Sequence, residues 1–405
     1  MNKKEARKNK YVKFRHKFFF ATLRPIVRLI ARKFRFKTKA VKTEKGKNYL
    51  ILSNHQSYFD PAFIALTIKK PIYFIASDAL YSQKWYLRLL FYCFGPIKKR
   101  KGIADAACVR AVCRIAKEGG NICIFPEGER QWNDSVFHIE KSVVKLVRML
   151  KLPLILYNFH GGYGVQPRWG KSLRKGKYTG EIREIIPYEE ISKMSDDELY
   201  EKIVFSLKII DSDSGELYKS ESRAEYLERQ LFVCPKCGAL HMLHSHGNEI
   251  TCDNCGLTVT YGENLRLTSP DPEFYFDKLI DWYEFQQRFV RDYEIGDGVL
   301  LMDENVGLYD KTERERVLVA TGKLTLTKDA LKVGDYVLPT SEIYGGTAHD
   351  GDKISFGAGK RAYLIKGNER FNGIKYVLFF NRVCKQIESK GGDTHYGLYP
   401  HPELR

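Results

Sequence analysis

The 405-residue sequence lacks any run of the roughly 20 consecutive apolar residues that a membrane-spanning helix needs. Its most apolar N-terminal stretch, residues 18–30, is interrupted by Arg24, Pro25 and Arg28, which also excludes a signal-peptide core. Internal repeats are absent, and the basic N-terminus is the only low-complexity segment. These absences predict a protein of two or three globular domains that does not cross a membrane.

A disulfide framework is also absent from the pattern of the nine cysteines. Four of them form two close pairs late in the chain. The other five are scattered among apolar neighbours, which argues against paired disulfides and predicts a reducing, cytoplasmic location. These five are Cys93, Cys108, Cys113, Cys123 and Cys384.

Acidic residues are scarce in one segment only. Residues 1–47 contain 18 Lys or Arg but only two acids, so they carry +16 of the formal net charge of +18. The rest of the chain is nearly neutral. The imbalance therefore predicts a local anionic partner for the N-terminus and argues against a basic groove through the fold.

The apolar residues of this basic segment favour a membrane surface as that partner. They recur every three to four residues between Phe18 and Phe36, and three arginines recur on another face, which predicts an amphipathic helix lying on anionic lipid. Pro25 predicts a kink or a second helix start. A solvated basic tail leading into a core helix is the alternative. The apolar positions are Phe19, Leu23, Ile26, Val27, Ile30 and Phe34, and the arginines are Arg24, Arg28 and Arg32.

Residues 48–210 alternate short β-rich runs with longer helical patterns. This alternation predicts an α/β domain with a mixed, largely parallel sheet flanked by helices, and its site should lie at the strand ends. The predicted strands are 49–53, 71–76, 121–125 and 154–159, and the predicted helices are 61–68, 85–94, 104–116 and 139–150.

Two of these strand ends carry chemistry. After the first strand, His55 lies five residues before Asp60, and a carboxylate on an imidazole nitrogen makes a general base for a hydroxyl. After the third strand, Glu127, Gly128 and Arg130 combine a flexible backbone with a guanidinium fork suited to phosphate. The basic cluster that ends in Arg100 also suits phosphate. Taken singly, each could be a solvated surface feature.

In this order the blocks resemble those of the glycerolipid acyltransferases, the family of glycerol-3-phosphate and 1-acylglycerol-3-phosphate acyltransferases. The Asn-His-x-Ser-x-x-Asp block is complete, the Phe-Pro-Glu-Gly-Thr-Arg block has Glu129 in place of threonine, and the Gly-to-Arg block matches loosely through Gly95 and Arg100. A short apolar strand, Leu152 to Ile155, matches the fourth. The resemblance covers roughly residues 45–210.

The resemblance implies direct acyl transfer from an acyl thioester, carried by coenzyme A or acyl carrier protein, to the hydroxyl of a lysophospholipid. His55 would be the general base and Asp60 would orient it. Arg100 and Arg130 would bind the acceptor phosphate, while Glu127 and Gly128 shape that loop. No catalytic cofactor is implied, and the expected location is peripheral, on the cytoplasmic face of the membrane.

The sequence around His160 to Gly164 resembles the oxyanion loop of serine esterases. That mechanism needs a Gly-x-Ser-x-Gly nucleophile elbow, which this sequence does not contain. A serine hydrolase is therefore not expected.

Two Cys-x-x-Cys knuckles, each followed by a glycine, are separated by fourteen residues and predict a closed, structural zinc site. Unligated thiols are the alternative. Three histidines on the intervening hairpin are expected to face solvent and not to bind the metal. The ligands are Cys234, Cys237, Cys252 and Cys255, and the histidines are His241, His244 and His246.

A zinc ribbon suggests a competing function, a catalytically idle membrane or nucleic-acid adaptor on an acyltransferase scaffold. Residues 232–264 have few basic side chains, so nucleic acid is not expected as a partner. The strand-rich end resembles, by strand count alone, the small β-domains of the pleckstrin-homology type. Its predicted strands are 323–326, 336–338, 353–356, 362–366 and 376–380.

These patterns predict four segments. They are a basic membrane-surface segment at 1–46, an acyltransferase domain at 47–215, a zinc ribbon at 226–265, and a helix followed by a β-rich domain at 266–405. Residues 211–215 are polar and predict a linker.

Overall fold

The computed structural model describes residues 10–77, 85–99, 105–134, 139–313, 315–349 and 352–384. The chain divides into two compact units. The first contains residues 1–131, 135–165 and 175–216, and the second contains residues 132–134, 166–174 and 217–405. Within the described ranges, no helix is long and apolar enough to cross a membrane.

The first unit is built on a seven-stranded sheet of order β1-β7-β6-β2-β5-β3-β4. All described strand pairs in it are parallel except β6 with β7, so the predicted mixed, largely parallel sheet is confirmed. The four predicted strands are present, whereas β1, β4 and β7 were not predicted. The strands are β1 Phe36–Thr38, β2 Leu50–Ser53, β3 Ile72–Ser77, β4 Ile97–Lys99, β5 Asn121–Ile124, β6 Leu154–His160 and β7 Tyr178–Ile186.

Helices flank this sheet. The helix after Asp105 shows how the sequence sets their limits, because the Asp105 carboxylate accepts hydrogen bonds from two backbone N–H groups of its first turn. Its buried residues Cys108, Val112 and Ile115 pack into the core at helical spacing. The helices are α1 Phe14–Thr22, α2 Arg24–Lys33, α3 Asp60–Thr67, α4 Trp85–Phe94, α5 Ala106–Lys117, α6 Ser142–Leu150, α7 Gly162–Val165, α8 Tyr188–Ile191 and α9 Asp196–Leu207.

The basic N-terminal segment forms two helices. Pro25 lies in the first turn of α2, so the predicted second helix start is correct. The predicted apolar stripe is wrong at Phe34, which is buried against the rings of Phe59 and Phe63 with centroids 4.7 and 5.7 Å away. Helical periodicity marks an apolar face, but it does not distinguish a face that meets lipid from one that meets the core.

The second unit contains a four-stranded antiparallel sheet of order β11-β10-β9-β8, followed by a long helix. The helix predicted at 223–231 is reduced to a single 3₁₀ turn, Leu227–Arg229, and the helix predicted from Phe274 begins at Leu279. The elements are β8 Leu243–His246, β9 Glu249–Cys252, β10 Thr258–Tyr261, β11 Leu267–Thr268 and α10 Leu279–Asp292.

The C-terminal part of the second unit is a seven-stranded antiparallel sheet of order β15-β14-β13-β12-β18-β17-β16, closed by a helix. The predicted β-rich domain is therefore confirmed, while its likeness to pleckstrin-homology domains stays a prediction. Its elements are β12 Leu301–Asp310, β13 Val317–Leu326, β14 Ala330–Val333, β15 Tyr336–Pro339, β16 Ile343–His349, β17 Lys353–Ala358, β18 Arg361–Lys366 and α11 Gly373–Val383.

One predicted strand of this domain is wrong. Residues 376–380 lie inside α11. The Asn372 side chain accepts a hydrogen bond from the Lys375 backbone N–H and caps the helix, and the helix is buried on most of its circumference. A helix that is buried on most sides has no clear 3.6-residue period, so its aromatic and β-branched residues predict a strand from the sequence alone.

Candidate functional site

The loop after β2 brings His55 and Asp60 together. His55 Nδ1 lies 2.9 Å from Asp60 Oδ2, and Asp60 is completely buried at the start of α3 while 18% of the His55 side chain is exposed. Pro61 follows Asp60 in the first helical turn, where a missing N–H is tolerated. The spacing of five residues therefore allows the contact between His55 and Asp60 that the sequence predicts.

The Asp60 carboxylate has further partners. Oδ2 accepts hydrogen bonds from the backbone N–H groups of Gln56 at 2.7 Å and Ser57 at 2.9 Å, and Oδ1 accepts one from the Tyr178 hydroxyl. A buried carboxylate needs this compensation because losing water is costly for a charge. Two carboxylate oxygens with several donors also fix the side chain in one orientation.

The loop after β5 lies against the same histidine. The Phe125 ring stacks on the His55 imidazole with centroids 4.1 Å apart. The His55 backbone N–H donates to Glu127 Oε1 at 2.9 Å, and the Gln131 backbone N–H donates to the His55 carbonyl at 2.9 Å. The two sequence blocks, more than seventy residues apart, thus form one site, with Glu127 bonded to the backbone of the histidine.

Arg130 and Gly128 complete this loop. Arg130 is largely buried, and its guanidinium carbon lies 3.3 Å from the centroid of the Tyr58 ring. Gly128 has φ +71°, a conformation that favours glycine, and its N–H closes a turn onto the Phe125 carbonyl. Glu129 is partly exposed. Arg100 lies outside the described residues.

Asn54, the first residue of the block, has a structural role. Its side-chain amide donates to the Phe159 carbonyl at 2.9 Å and accepts from the Phe159 N–H at 2.8 Å, 105 residues away. This bidentate clamp ties the end of β2 to the end of β6. The strand end that carries His55 is held in register by that clamp.

Three residues of the site were missed by sequence reasoning: Gln56, Tyr178 and Asp211. Asp211 accepts hydrogen bonds from the N–H groups of Gly161 at 2.7 Å and Gly164 at 3.2 Å, and from the Gln56 amide at 3.3 Å. Burial raises the pKa of the Asp211 carboxyl above its ordinary value. The predicted linker at 211–215 is therefore wrong at its first residue, which is buried in a 3₁₀ turn.

The four knuckle cysteines come together in the second unit. The Sγ atoms of Cys234 and Cys255 are 3.6 Å apart, those of Cys237 and Cys252 are 3.8 Å apart, and all four lie within 4.8 Å of one another. A tetrahedral ion with Zn–S bonds of about 2.3 Å holds its sulfur atoms about 3.8 Å apart. The residues therefore fit a closed four-sulfur metal site.

The histidines of the intervening hairpin do not join this cluster. His244 and His246 are exposed, as expected. His241 is not: its Nδ1 lies 3.0 Å from the Lys375 ammonium, and burial is the first cause that lowers its pKa to about 3. The expectation that His241 faces solvent is wrong because the β-rich part of its own unit covers it.

Residues 33–157 match the family model described as Acyltransferase. This segment, about a third of the chain, is similar to the acyltransferase family. That range contains His55, Asp60 and the loop from Phe125 to Arg130, so the resemblance inferred from the sequence blocks is confirmed.

Two known proteins are similar to parts of this chain. A 120-residue segment is 29% identical to a 1-acyl-sn-glycerol-3-phosphate acyltransferase of Borreliella burgdorferi, covering 28% of this chain and 47% of that protein. The match therefore spans about half the length of that relative. The crystal structure of the 1-acyl-sn-glycerophosphate (LPA) acyltransferase PlsC from Thermotoga maritima aligns with a TM-score of 0.40 and 19% identity, over 51% of this chain and 80% of that one.

Proposed function

We propose that this protein is an O-acyltransferase of glycerophospholipid biosynthesis that transfers a fatty acyl group from an acyl thioester to a lysophospholipid such as 1-acylglycerol-3-phosphate. The observation that carries the proposal is the His55–Asp60 pair, joined at 2.9 Å with the carboxylate wholly buried. A buried carboxylate on Nδ1 sets the imidazole tautomer and stabilises the imidazolium. A general base for a hydroxyl needs both effects.

The proposed reaction is a single direct transfer. Nε2 of His55 takes the proton of the acceptor hydroxyl, whose oxygen forms the new C–O bond at the thioester carbonyl. The tetrahedral intermediate collapses by breaking the C–S bond, and the leaving thiolate takes the proton back from the imidazolium. General-base assistance of this kind contributes about 10²- to 10⁴-fold, and positioning of the two substrates supplies much of the rest.

We assign the acceptor phosphate to Arg130. Its guanidinium is planar, permanently charged and able to bind a phosphate through two parallel N–H groups. The Tyr58 ring beneath it restricts the guanidinium plane. Lys98 and Lys99 are exposed on β4, directly before Arg100, whose part in phosphate binding stays a prediction.

The test of this function is an acyl-transfer assay of the purified chain. Acyl-coenzyme A and acyl–acyl carrier protein are each offered as donor, with lysophospholipid acceptors that differ only in bearing a phosphate, a larger phosphodiester headgroup or no phosphate. We expect ester formation to be fastest with 1-acylglycerol-3-phosphate. No ester product with any acceptor, from folded protein, would contradict the proposal.

We further propose that the first unit meets an anionic membrane through an N-terminal apolar surface formed by Phe14, Phe18, Ile26 and Leu29. These side chains are 81, 50, 53 and 61% exposed, and basic residues flank them along the sequence. Large exposed apolar side chains beside Lys and Arg are typical of helices that lie in the headgroup region. Lysophospholipid acceptors are found in that region.

The helix α4 contacts α1 and also carries exposed apolar side chains. Leu89, Leu90 and Tyr92 are exposed on it, and Arg15 of α1 is held there by a hydrogen bond of 2.9 Å to the Tyr92 carbonyl and by the Tyr92 ring 4.1 Å below its guanidinium. Helices α1 and α4 therefore contact each other, and both carry exposed apolar side chains. This supports a peripheral location.

For the second unit we propose a structural zinc ion held by Cys234, Cys237, Cys252 and Cys255. Gly238 and Gly256 follow the knuckles with φ +68° and +73°, the left-handed turn that lets the chain fold back around the sulfurs. Four thiolates fill a tetrahedral shell and leave no coordination position for a substrate. The ion would contribute to folding and take no part in acyl transfer.

A further inference from the structure

Tyr178 lies outside the family-matched segment, at the first position of β7, and is completely buried. Its hydroxyl donates a hydrogen bond to Asp60 Oδ1, while His55 is bonded to the other carboxylate oxygen, Oδ2. The pairing of β7 with β1, which places Tyr178 opposite Phe36, sets this position. A residue 118 positions away in the sequence therefore contacts the carboxylate that is bonded to the candidate general base.

Three aromatic rings and a glycine pack around the ring of Tyr178. The rings of Phe36, Phe63 and Phe159 have centroids 5.0, 5.6 and 5.9 Å from it. Gly162 lies so close that a Cβ there would come within 2.9 Å of the tyrosine ring. Tight packing of this kind leaves the hydroxyl one position.

The torsion that turns an aspartate carboxylate about its Cβ–Cγ bond is soft, with a broad distribution. The backbone N–H groups of Gln56 and Ser57 hold Oδ2, but they share that oxygen with the imidazole. The tyrosine hydroxyl is the donor on Oδ1 that opposes rotation of the carboxylate. Losing it would let the carboxylate turn away from His55 Nδ1.

We propose that Tyr178 is a positioning residue for acyl transfer, acting through Asp60 to hold the His55 imidazole in its reactive orientation. The inference rests on the proposed function, because it assigns Tyr178 a part in the same general-base chemistry. Tyr178 itself does not touch substrate.

Burial raises the pKa of the Tyr178 hydroxyl well above its ordinary value, and the Asp60 charge raises it further. The hydroxyl therefore stays protonated and remains a donor throughout the working pH range. The ionisable groups that face Asp60 or Tyr178 are His55 from the loop after β2, Cys123 from β5, Tyr157 from β6 and Asp211 from the 3₁₀ turn.

The experiment is a kinetic comparison of the full chain with Tyr178→Phe, which removes only the hydroxyl. We expect kcat to fall about 10- to 100-fold, the range for losing one hydrogen bond to a charged group, with the KM values of donor and acceptor unchanged. The acidic limb of the kcat/KM profile, which reports the free base, should move to lower pH. A carboxylate that has turned away from Nδ1 stabilises the imidazolium less, so the pKa of His55 falls.

The matched control is Tyr157→Phe. Tyr157 is also completely buried on the neighbouring strand, but its hydroxyl is bonded to Thr67 Oγ1 at 2.7 Å. This variant should keep kcat and the pH profile. Equal losses in the two variants would mean that the effect is general loss of packing, and this would overturn the positioning role.

A second substitution covers the case in which Tyr178→Phe fails to fold. Replacing Tyr178 by 3-fluorotyrosine keeps the hydroxyl and makes it a stronger donor, which withdraws charge from Asp60, so the acidic limb should move to lower pH while kcat stays near that of the native chain. An unmoved limb overturns the inference. A wild-type chain without acyl transfer to any acceptor would instead overturn the proposed function.

Discussion

The Arg130 guanidinium carbon lies 3.3 Å from the centroid of the Tyr58 ring, so that a cation from the loop after β5 rests on an aromatic ring from the loop after β2. The contact has two consequences. It joins the two sequence blocks beside His55, and it restricts the planar guanidinium that we propose binds the acceptor phosphate. Arginine on an aromatic face is favourable by about 0.5–2 kcal/mol.

If Arg130 binds the acceptor phosphate, Arg130→Ala should raise the KM for 1-acylglycerol-3-phosphate about 10- to 100-fold, as expected when hydrogen bonds to a charged group are lost. The KM for the acyl thioester should not change. Arg130→Lys should recover only part of the loss, because lysine lacks the fork. The measurement is steady-state kinetics with each substrate varied in turn.

Arg183→Ala is the control for that experiment, since Arg183 also lies on an aromatic ring, that of Phe205 at 5.1 Å, elsewhere in the first unit. It should leave both KM values unchanged. An Arg130→Ala protein that binds the phosphorylated acceptor normally would remove Arg130 from the phosphate site.

Zinc content tests the metal site that we propose in the second unit. Elemental analysis of protein purified without chelator should find about one zinc per chain, and Cys252→Ser should abolish it. Because structural zinc contributes directly to folding, the variant should also lose protection of the β8–β10 amides in hydrogen exchange. Cys384→Ser, at a partly buried cysteine outside the cluster, is the matched control. Protein that is folded and free of stoichiometric metal would rule out the zinc proposal.

Vesicle binding tests the N-terminal apolar surface. Replacing Phe14, Phe18, Ile26 and Leu29 by serine should remove the salt-resistant part of binding to vesicles of phosphatidylglycerol and phosphatidylcholine. The salt-sensitive part should remain, because charge attraction is screened within about 8 Å at physiological ionic strength. A control with serine at Phe205 and Ile185, which are exposed elsewhere in the first unit, should bind normally. Equal binding by both variants would place the contact on another surface.

Acidic pH should loosen helix α1, because His16 is buried there with its Nδ1 3.1 Å from the Tyr73 hydroxyl and with Gly95 leaving room for its ring. Burial first, and then Arg15 and Lys13, lower the pKa of His16 to about 4. The undocked histidine, with a pKa near 6.5, binds its proton first as pH falls. Docking is therefore weakened between about pH 6.5 and 4, by on the order of 3 kcal/mol.

Limited proteolysis of α1 at pH 7.5 and pH 4.5 checks this. Cleavage should accelerate at the lower pH in the native chain, and much less in His16→Gln, which cannot titrate. His246→Gln changes a fully exposed side chain and should behave as the native chain does. The same acceleration in His16→Gln would exclude His16 as the cause.

The residues of this site that are close to a motif in the sequence could be predicted, and those that are distant from it could not. His55 and Asp60 are five residues apart at a strand end, and Glu127 and Arg130 follow another strand end, so the topology of a parallel sheet was enough to bring them together. Tyr178 and Asp211 reach the site from β7 and from the turn after α9. Nothing local marks a tyrosine that begins an unpredicted strand, or an aspartate in a polar stretch, as a buried partner.

The same reasoning explains the errors at Phe34 and at residues 376–380. Burial of Phe34 follows from the position of α3, and the helical state of 376–380 follows from the sheet it covers, so both depend on packing that a local pattern does not contain. Conversely, the cysteine knuckles were predictable because the geometry of four sulfur ligands is fixed by the metal, whatever surrounds it.

The most direct test of the central claim is the rate of ester formation by His55→Ala, measured with 1-acylglycerol-3-phosphate and an acyl thioester beside the native chain and Asp60→Asn. Circular dichroism should show both variants folded. We expect His55→Ala to lose at least about 100-fold in kcat, and Asp60→Asn to lose activity because the imidazole no longer faces a carboxylate. Turnover at the native rate by a folded His55→Ala protein would contradict the account.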